Sequence, residues 1–179
     1  MTTPTASPPN FVPWDIEVAR LNFGANCGPV SFAALSGTEV CRVISHFPHF
    51  EHSAWTNLTQ MLRALDSARC NAEVRRREFP KRGLALIQWL GPWTRTNFFS
   101  RWSLPHTHWV AVDGDWIFDN TAEKWQTLRE WGNSVAVDYI TRIPRATGWA
   151  VKYGLEIKRK TEPAPCFPAQ LLLGHLSPA

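Results

Sequence analysis

The sequence predicts an α+β domain in which N-terminal helices pack on an antiparallel sheet. Residues 28–36 (GPVSFAALS) are good helix formers, and Gly37 follows them as a C-terminal cap. Later in the chain, WVAV and WIFD flank the sequence Asp113-Gly114-Asp115, which is a strong hairpin signal. With 179 residues, the chain suits one domain with short tails.

The other elements follow from the same local rules. Thr38 can cap a second helix, and Thr56 or Asn57 can open a third helix with its leucines at helical spacing. The predicted elements are helices at 39–47, 57–67 and 83–90, and strands at 72–79, 135–143 and 148–157.

Both ends of the chain are rich in proline. Residues 1–14 are predicted to form a flexible arm, 15–158 the folded domain, and 159–179 an irregular tail. The arms are the segments through which a protein partner would bind.

The composition and net charge of the chain limit the kinds of molecule that it is expected to bind. Apolar residues make up 44% of the chain, enough for a hydrophobic core, and the net charge is +4. The basic residues gather at 75–82 and 158–160, which solvated faces explain, and no nucleic-acid-binding motif accompanies them. We therefore do not expect a nucleic acid as the partner.

The protein is expected to stay in the cytoplasm. Residues 1–14 have neither the basic start nor the apolar core of a signal peptide. No apolar run approaches the roughly 20 residues that span a bilayer, so no membrane contact is expected. The cysteines at 27, 41, 70 and 166 show no CxxC spacing, which favours free thiols in a reducing compartment.

Cys27 is the first candidate for chemistry. It stands in Asn26-Cys27-Gly28-Pro29, and proline is favoured in the first helical turn, where its missing N–H would have no partner. A helix N-terminus favours the thiolate, which is the nucleophilic form of cysteine. Gly28 leaves room for a substrate carbonyl, and the backbone N–H of Cys27 can bind an oxyanion. Taken alone, the motif favours the simpler interpretation of a buried thiol beside a helix start.

His108 and Asp119 add a base and a group that orients it. His108 opens the run His-Trp-Val-Ala-Val, and Asp119 closes the next strand. Antiparallel strands joined by a tight turn bring their outer ends side by side, so we expect the two side chains to be neighbours. A carboxylate beside an imidazole fixes its tautomer and stabilises the imidazolium.

Other residues compete for these roles. His106 is an alternative base, although it follows Pro105 and lies outside the apolar run. Asn120 could replace Asp119, but a one-residue shift in a strand turns the side chain to the other face. A zinc site built from His46, His49, His52 and Cys41 is conceivable, but the spacing matches no familiar pattern, so a surface loop is favoured and no metal is expected.

Together, these residues resemble the papain-fold C39-like peptidases, and most closely their small intracellular, phage-associated relatives. The similarity rests on Asn-Cys-Gly-Pro with its small-residue helix ending in Ser-Gly-Thr, on the apolar segment 84–90, and on His-Trp-Val-Ala-Val-Asp-Gly-Asp-Trp-Ile-Phe-Asp. It covers roughly residues 20 to 145 in order. The resemblance implies a papain-like fold and, for a phage protein, a place in the host cytoplasm or the virion.

The resemblance also assigns roles. It implies that Cys27 is the nucleophile, His108 the base and Asp119 the orienting acid. Papain-like enzymes place a Gln six residues before the nucleophile to complete the oxyanion hole, and here that position is Leu21. We expect Asn22 to replace it, with the Cys27 backbone as the other donor.

Two further residues are expected at the substrate. Gly28 and Trp109 adjoin the nucleophile and the base in sequence and are predicted to bind the substrate. Asn26, the other possible oxyanion donor, is expected to cap the helix instead.

The predicted function is that of a thiol hydrolase. The thiolate attacks a carbonyl of a protein or peptide substrate, a thioester forms, and water releases it, with no cofactor. The bond is a peptide, isopeptide or side-chain amide bond. The alternative is a catalytically inactive papain-like domain that acts as a binding or virion structural protein, which Leu21 and the aromatic composition favour.

Overall fold

The computed structural model of the protein describes residue 7 and the ranges 9–47, 50, 55–94 and 104–158. Of the predicted arm at 1–14, the structure therefore describes residue 7 and residues 9–14. The predicted tail at 159–179 lies outside the described residues, as do Pro48, His49, His52 and Cys166.

The helices lie in two groups along the chain, before the sheet begins and before its last strand. They are α1 (Ile16–Phe23), α2 (Cys27–Ser36), α3 (Val40–Ile44), α4 (Leu58–Ser67), α5 (Leu128–Asn133) and α6 (Val135–Arg142). The strands are β1 (Ala72–Arg76), β2 (Arg82–Leu90), β3 (Thr107–Asp113), β4 (Trp116–Asp119), β5 (Lys124–Thr127) and β6 (Gly148–Ile157).

The strands form one open sheet in the order β1-β6-β2-β3-β4-β5, and every neighbouring pair is antiparallel. The last strand, β6, thus inserts between β1 and β2. The α+β class and the antiparallel sheet predicted from the sequence are confirmed.

Helices cover both faces of this sheet. Successive side chains of a strand point to opposite faces. Leu84 and Leu86 of β2 accordingly join a core with α1–α4, whereas Ile87 and Trp89 join a second core with α5 and α6. The sheet therefore separates two hydrophobic cores.

The helix predicted at 83–90 is wrong, because these residues form β2. This strand lies between β6 and β3, and all its residues from Gly83 to Trp89 are buried. A strand buried on both faces has a continuous apolar run without alternation, and such a run cannot be told from a buried helix by periodicity.

The strand predicted at 135–143 is also wrong, because these residues form helix α6. The β-branched residues in VAVDYITR favour a strand, but Ala136, Tyr139 and Ile140 recur at helical spacing and pack in the second core. Packing of an apolar face against the sheet outweighs the intrinsic preference.

The predicted helix signals are confirmed at two positions and differ at a third. Gly37 caps α2 in the left-handed conformation, and Asn57 opens α4 with a capping box. Helix α3 is shorter than predicted, and it is capped by a distant carboxylate: Asp15 accepts from the backbone N–H groups of Val40 and Cys41 at 2.9 and 2.8 Å.

The last residues of the predicted arm pack against the sheet. The carbonyl of Phe11 accepts a hydrogen bond from the Trp125 indole at 2.8 Å, and Pro13 is buried. The packed part of the chain therefore begins before residue 15, the predicted boundary.

Candidate active site

Cys27 is the first residue of α2, and its neighbours explain why the helix begins there. Asn26 is the N-cap, and its Oδ1 accepts from the backbone N–H of Gly28 at 3.0 Å. Pro29 occupies the first turn, where no N–H is needed. Cys27 thus lies at the positive end of the helix dipole.

Two hydrogen bonds hold α2 against the edge of β3. The pairing of β3 with β4 spans residues 111–113 of β3. Helix α2 lies against the part of β3 that precedes these residues. The backbone N–H of Trp109 donates to Cys27 Sγ at 3.3 Å, and Ser31 Oγ donates to the Trp109 carbonyl at 3.0 Å. Because Cys27 and Ser31 are one helical turn apart, these bonds fix both the position and the orientation of the helix start.

His108 and Asp119 are brought together by the β3–β4 hairpin. Nε2 of His108 lies 2.9 Å from Oδ2 of Asp119, as the sequence predicts for neighbouring strand ends. Both side chains are buried, with exposed fractions of 5% and 0%. Trp131 Nε1 and the Thr121 backbone N–H also donate to the carboxylate of Asp119, each at 2.8 Å.

These contacts keep Asp119 ionised. Burial acts to raise the pKa of Asp119, but the charge of His108 and the hydrogen bonds to the carboxylate outweigh it, so the pKa lies below its ordinary value. An ionised carboxylate only accepts hydrogen bonds, so Nε2 of His108 is the donor.

The other imidazole nitrogen is left for Cys27. Since Nε2 serves Asp119, Nδ1 remains for Cys27, whose side chain is close enough to act on the pKa of His108. Burial acts to lower the pKa of His108, but the charges of Asp119 and Cys27 and their hydrogen bonds outweigh it. The pKa of His108 therefore stands well above its ordinary value. The arrangement suits a thiolate beside an imidazolium that a carboxylate orients.

An aromatic group surrounds the base and was not predicted from the sequence. Trp89 and Tyr139 lie beside the His108 ring, with ring centroids 6.1 and 4.9 Å away. Trp131, which bonds Asp119, comes from α5. The Thr-x-x-Glu pattern at 127–130 is a capping-box signal that could have located α5, but no local signal shows where its tryptophan points.

The predicted reason for Gly28 is wrong. A Cβ added to Gly28 would lie 2.5 Å from Cβ of Thr56, so the glycine faces a packed side chain and not an open approach for substrate. Thr56 Oγ1 also donates to Asn26 Oδ1 at 3.0 Å. Gly28 therefore permits the close packing of the helix start on Thr56.

The predicted substrate contact of the Trp109 side chain is also contradicted. Its exposed fraction is 1%, and its indole donates to the Thr56 carbonyl at 2.7 Å within the first core. The contribution of Trp109 to the site is its backbone N–H, which bonds the sulfur of Cys27.

The donors for an oxyanion are only partly assembled. Among the described residues, no hydrogen bond occupies the backbone N–H of Cys27, which starts α2. Asn22 lies exposed on the last turn of α1, and its role stays a prediction. Asn26 caps the helix as expected, and its Nδ2 is buried with no partner among the described residues.

The alternative residues lie elsewhere. The ring of His106 stacks on Trp93 at a centroid distance of 3.8 Å. Asp119, and not Asn120, contacts His108. His46 bonds Ser67 at 3.0 Å, and within the described part of the chain no cluster of three metal-binding side chains occurs.

Of the helices that the structure describes, none is long and apolar enough to cross a membrane. No protein-family model, curated protein or solved structure matches the chain.

Proposed function

We propose that the protein is a thiol hydrolase that cleaves a peptide, isopeptide or side-chain amide bond. The observation that carries the proposal is the convergence of Cys27, His108 and Asp119 from a helix start and one hairpin. Cys27 Sγ accepts from the backbone N–H of Trp109, the residue that follows His108. The His108 imidazole bonds the buried carboxylate of Asp119. Each group has the surroundings that its role in nucleophilic catalysis needs.

The proposed reaction uses these groups in two steps. The Cys27 thiolate attacks the carbonyl carbon, and the C–S bond forms as the carbonyl oxygen becomes an oxyanion. The C–N bond then breaks, and the His108 imidazolium gives its proton to the leaving amine, which leaves a thioester. Water then attacks the thioester carbon while His108 takes a proton from the water, and a C–O bond forms. The C–S bond breaks, which releases the acid and regenerates the thiolate beside the imidazolium.

The backbone N–H of Cys27 is the proposed donor to the oxyanion in both steps. Asp119 keeps the imidazole in one tautomer and stabilises its charged form without accepting the proton. The similarity of these motifs to the C39-like papain-fold peptidases supports the same assignment of roles.

A second candidate function is that of a binding domain without catalysis. Leu21 stands where papain-like enzymes carry the oxyanion-hole Gln, and 76% of its side chain is exposed. Trp14, which precedes α1, is 74% exposed. Exposed apolar side chains of this size suit a protein-binding surface.

Labelling with iodoacetamide, followed by mass spectrometry of each cysteine, separates the two candidates. Cys41 is an internal reference, because burial, followed by Asp15, raises the pKa of Cys41 to about 11 and keeps its thiol protonated at neutral pH. A hydrolase should be labelled at Cys27 much faster than at Cys41. Equal slow labelling of the two cysteines in the folded protein would favour the binding domain.

A further inference from the structure

Tyr139 of α6 contacts the proposed base directly. Its ring lies 4.9 Å from the His108 ring, tilted by 45°, and 4.7 Å from Trp89, with which it stacks. Trp89 in turn lies 6.1 Å from His108. The imidazole is therefore bounded by two aromatic rings that also support each other.

The hydroxyl of Tyr139 connects the same helix to the carboxylate. It hydrogen-bonds the hydroxyl of Thr121, whose backbone N–H donates to Oδ1 of Asp119 at 2.8 Å. Contacts thus run from His108 to Asp119, through Thr121 to Tyr139, and back to His108. Rotation of the imidazole or of the carboxylate would disturb this closed set of contacts.

The four residues in this closed set of contacts differ in burial. His108 and Asp119 are buried, whereas Tyr139 is half-buried and Thr121 is exposed. Tyr139 and Thr121 therefore form the side of the pair that faces solvent. A charged hydrogen bond is stronger where water is excluded.

We propose that Tyr139 is a positioning residue that keeps the His108 imidazole turned toward Cys27 and shields the His108–Asp119 hydrogen bond from water. The proposal rests on the proposed hydrolase function. The ring restricts rotation of the imidazole, and its face favours a neighbouring cation, which suits the imidazolium form. The hydroxyl, through Thr121, fixes the ring in place.

Three variants separate the ring from the hydroxyl. Tyr139→Leu removes the ring, Tyr139→Phe keeps the ring and removes the hydroxyl, and Thr121→Val removes the other hydroxyl but retains the backbone N–H to Asp119. Tyr153→Leu is the matched control, because Tyr153 packs in the other hydrophobic core. Circular dichroism and thermal melting verify the fold of each variant.

Two measurements are made on each protein. The first is the rate at which iodoacetamide labels Cys27, relative to Cys41. The second is the rate at which the Nε2 proton of His108 exchanges with water, followed by NMR. Substitution of a residue that only supports the fold would lower the melting temperature. It would not change the proton exchange of His108 in the folded protein.

Tyr139→Leu should slow the labelling of Cys27 by on the order of tenfold, because a displaced base loses its alignment. The exchange of the His108 proton should become faster in the same variant. Tyr139→Phe and Thr121→Val should retain most of the labelling rate, with a severalfold faster exchange. Tyr153→Leu should change neither measurement.

The outcomes distinguish this proposal from the proposed function. If wild-type Cys27 is labelled no faster than Cys41, the hydrolase function itself fails. A different result overturns only the role of Tyr139. In that result, wild-type Cys27 is labelled fast, and folded Tyr139→Leu matches the wild type or Tyr153→Leu in both measurements. Should Tyr139→Leu not fold, unchanged proton exchange in Tyr139→Phe overturns it equally.

Discussion

Nε2 of His108 lies 2.9 Å from Oδ2 of Asp119, just beyond the last paired residues of β3 and β4. Both residues belong to one hairpin, which brings their side chains together. Cys27 belongs to a different element, α2, and its Sγ accepts from the backbone N–H of Trp109 in β3. Substitutions can therefore perturb the pair and the nucleophile separately.

Asp119→Asn is expected to lower the pKa of His108. Apart from burial, which acts in the opposite direction, the charge of Asp119 is the largest influence on this pKa, and the amide removes that charge. NMR titration of the imidazole measures the shift, with Asp138→Asn as the control, because Asp138 is half-exposed and pairs with Arg142 instead. Turnover should weaken without vanishing, because the carboxylate does not accept the proton. An unchanged titration would show that Asp119 does not set the charge of His108.

The stability that this pair contributes should be lost at both ends of the pH range. The pKa of His108 is raised on folding, so its contribution is full below about pH 6.5 and is lost as the pH rises through the folded pKa. The pKa of Asp119 is lowered, so its contribution is full above about pH 3.8 and is lost as the pH falls through the folded pKa.

Urea unfolding at acid, neutral and alkaline pH measures this dependence. In the wild type, the free energy of unfolding should decrease in both directions from the neutral range. Asp119→Asn should flatten both changes, and identical pH profiles in the two proteins would contradict the assignment.

The sequence was sufficient to predict the residues of the site whose placement depends on local rules. Pro29 and Asn26 locate the helix start at Cys27, and the Asp-Gly turn places His108 beside Asp119. These signals act within a few residues of the side chains they position, so no tertiary information is needed.

The surroundings of the site depend on packing that no local pattern reveals. Tyr139 lies in a segment whose β-branched residues favour a strand, and only its contact with the sheet makes the segment helical. Gly28 was expected to be open, but Thr56, distant in sequence, occupies the space beside it. No local signal marks Ser31, whose Oγ donates to the Trp109 carbonyl and fixes α2 on β3.

Gly28→Ala should destabilise the protein. The added Cβ would meet Thr56 at 2.5 Å, and relief of such overpacking typically costs about 1 to 3 kcal/mol. Gly132→Ala is the control, because its Cβ would meet only Trp149 at 3.8 Å. Thermal melting compares the two variants. Equal stability of Gly28→Ala and wild type would restore the interpretation that Gly28 is open to the substrate.

Asn22→Ala should lower the turnover of an amide or ester substrate by roughly tenfold to a thousandfold if Asn22 donates to the oxyanion. Iodoacetamide labelling should not change, because alkylation forms no oxyanion. Asn26→Ala should instead destabilise the start of α2 by about 1 kcal/mol, because it removes the cap on Gly28.

Asn26→Ser completes this comparison, because serine keeps a capping oxygen and lacks an amide N–H. Unchanged turnover in Asn22→Ala, together with a loss in Asn26→Ser at normal stability, would transfer the donor role to the buried Nδ2 of Asn26.

The coupling of Cys27 to His108 is the central claim, and the rate of iodoacetamide labelling at Cys27 in wild type and His108→Ala tests it most directly. His106→Ala is the control, since the His106 ring stacks on Trp93 instead. We expect fast labelling in wild type and His106→Ala, and slow labelling in folded His108→Ala, which lacks the imidazolium that stabilises the thiolate. Equal labelling rates in wild type and His108→Ala would contradict the account.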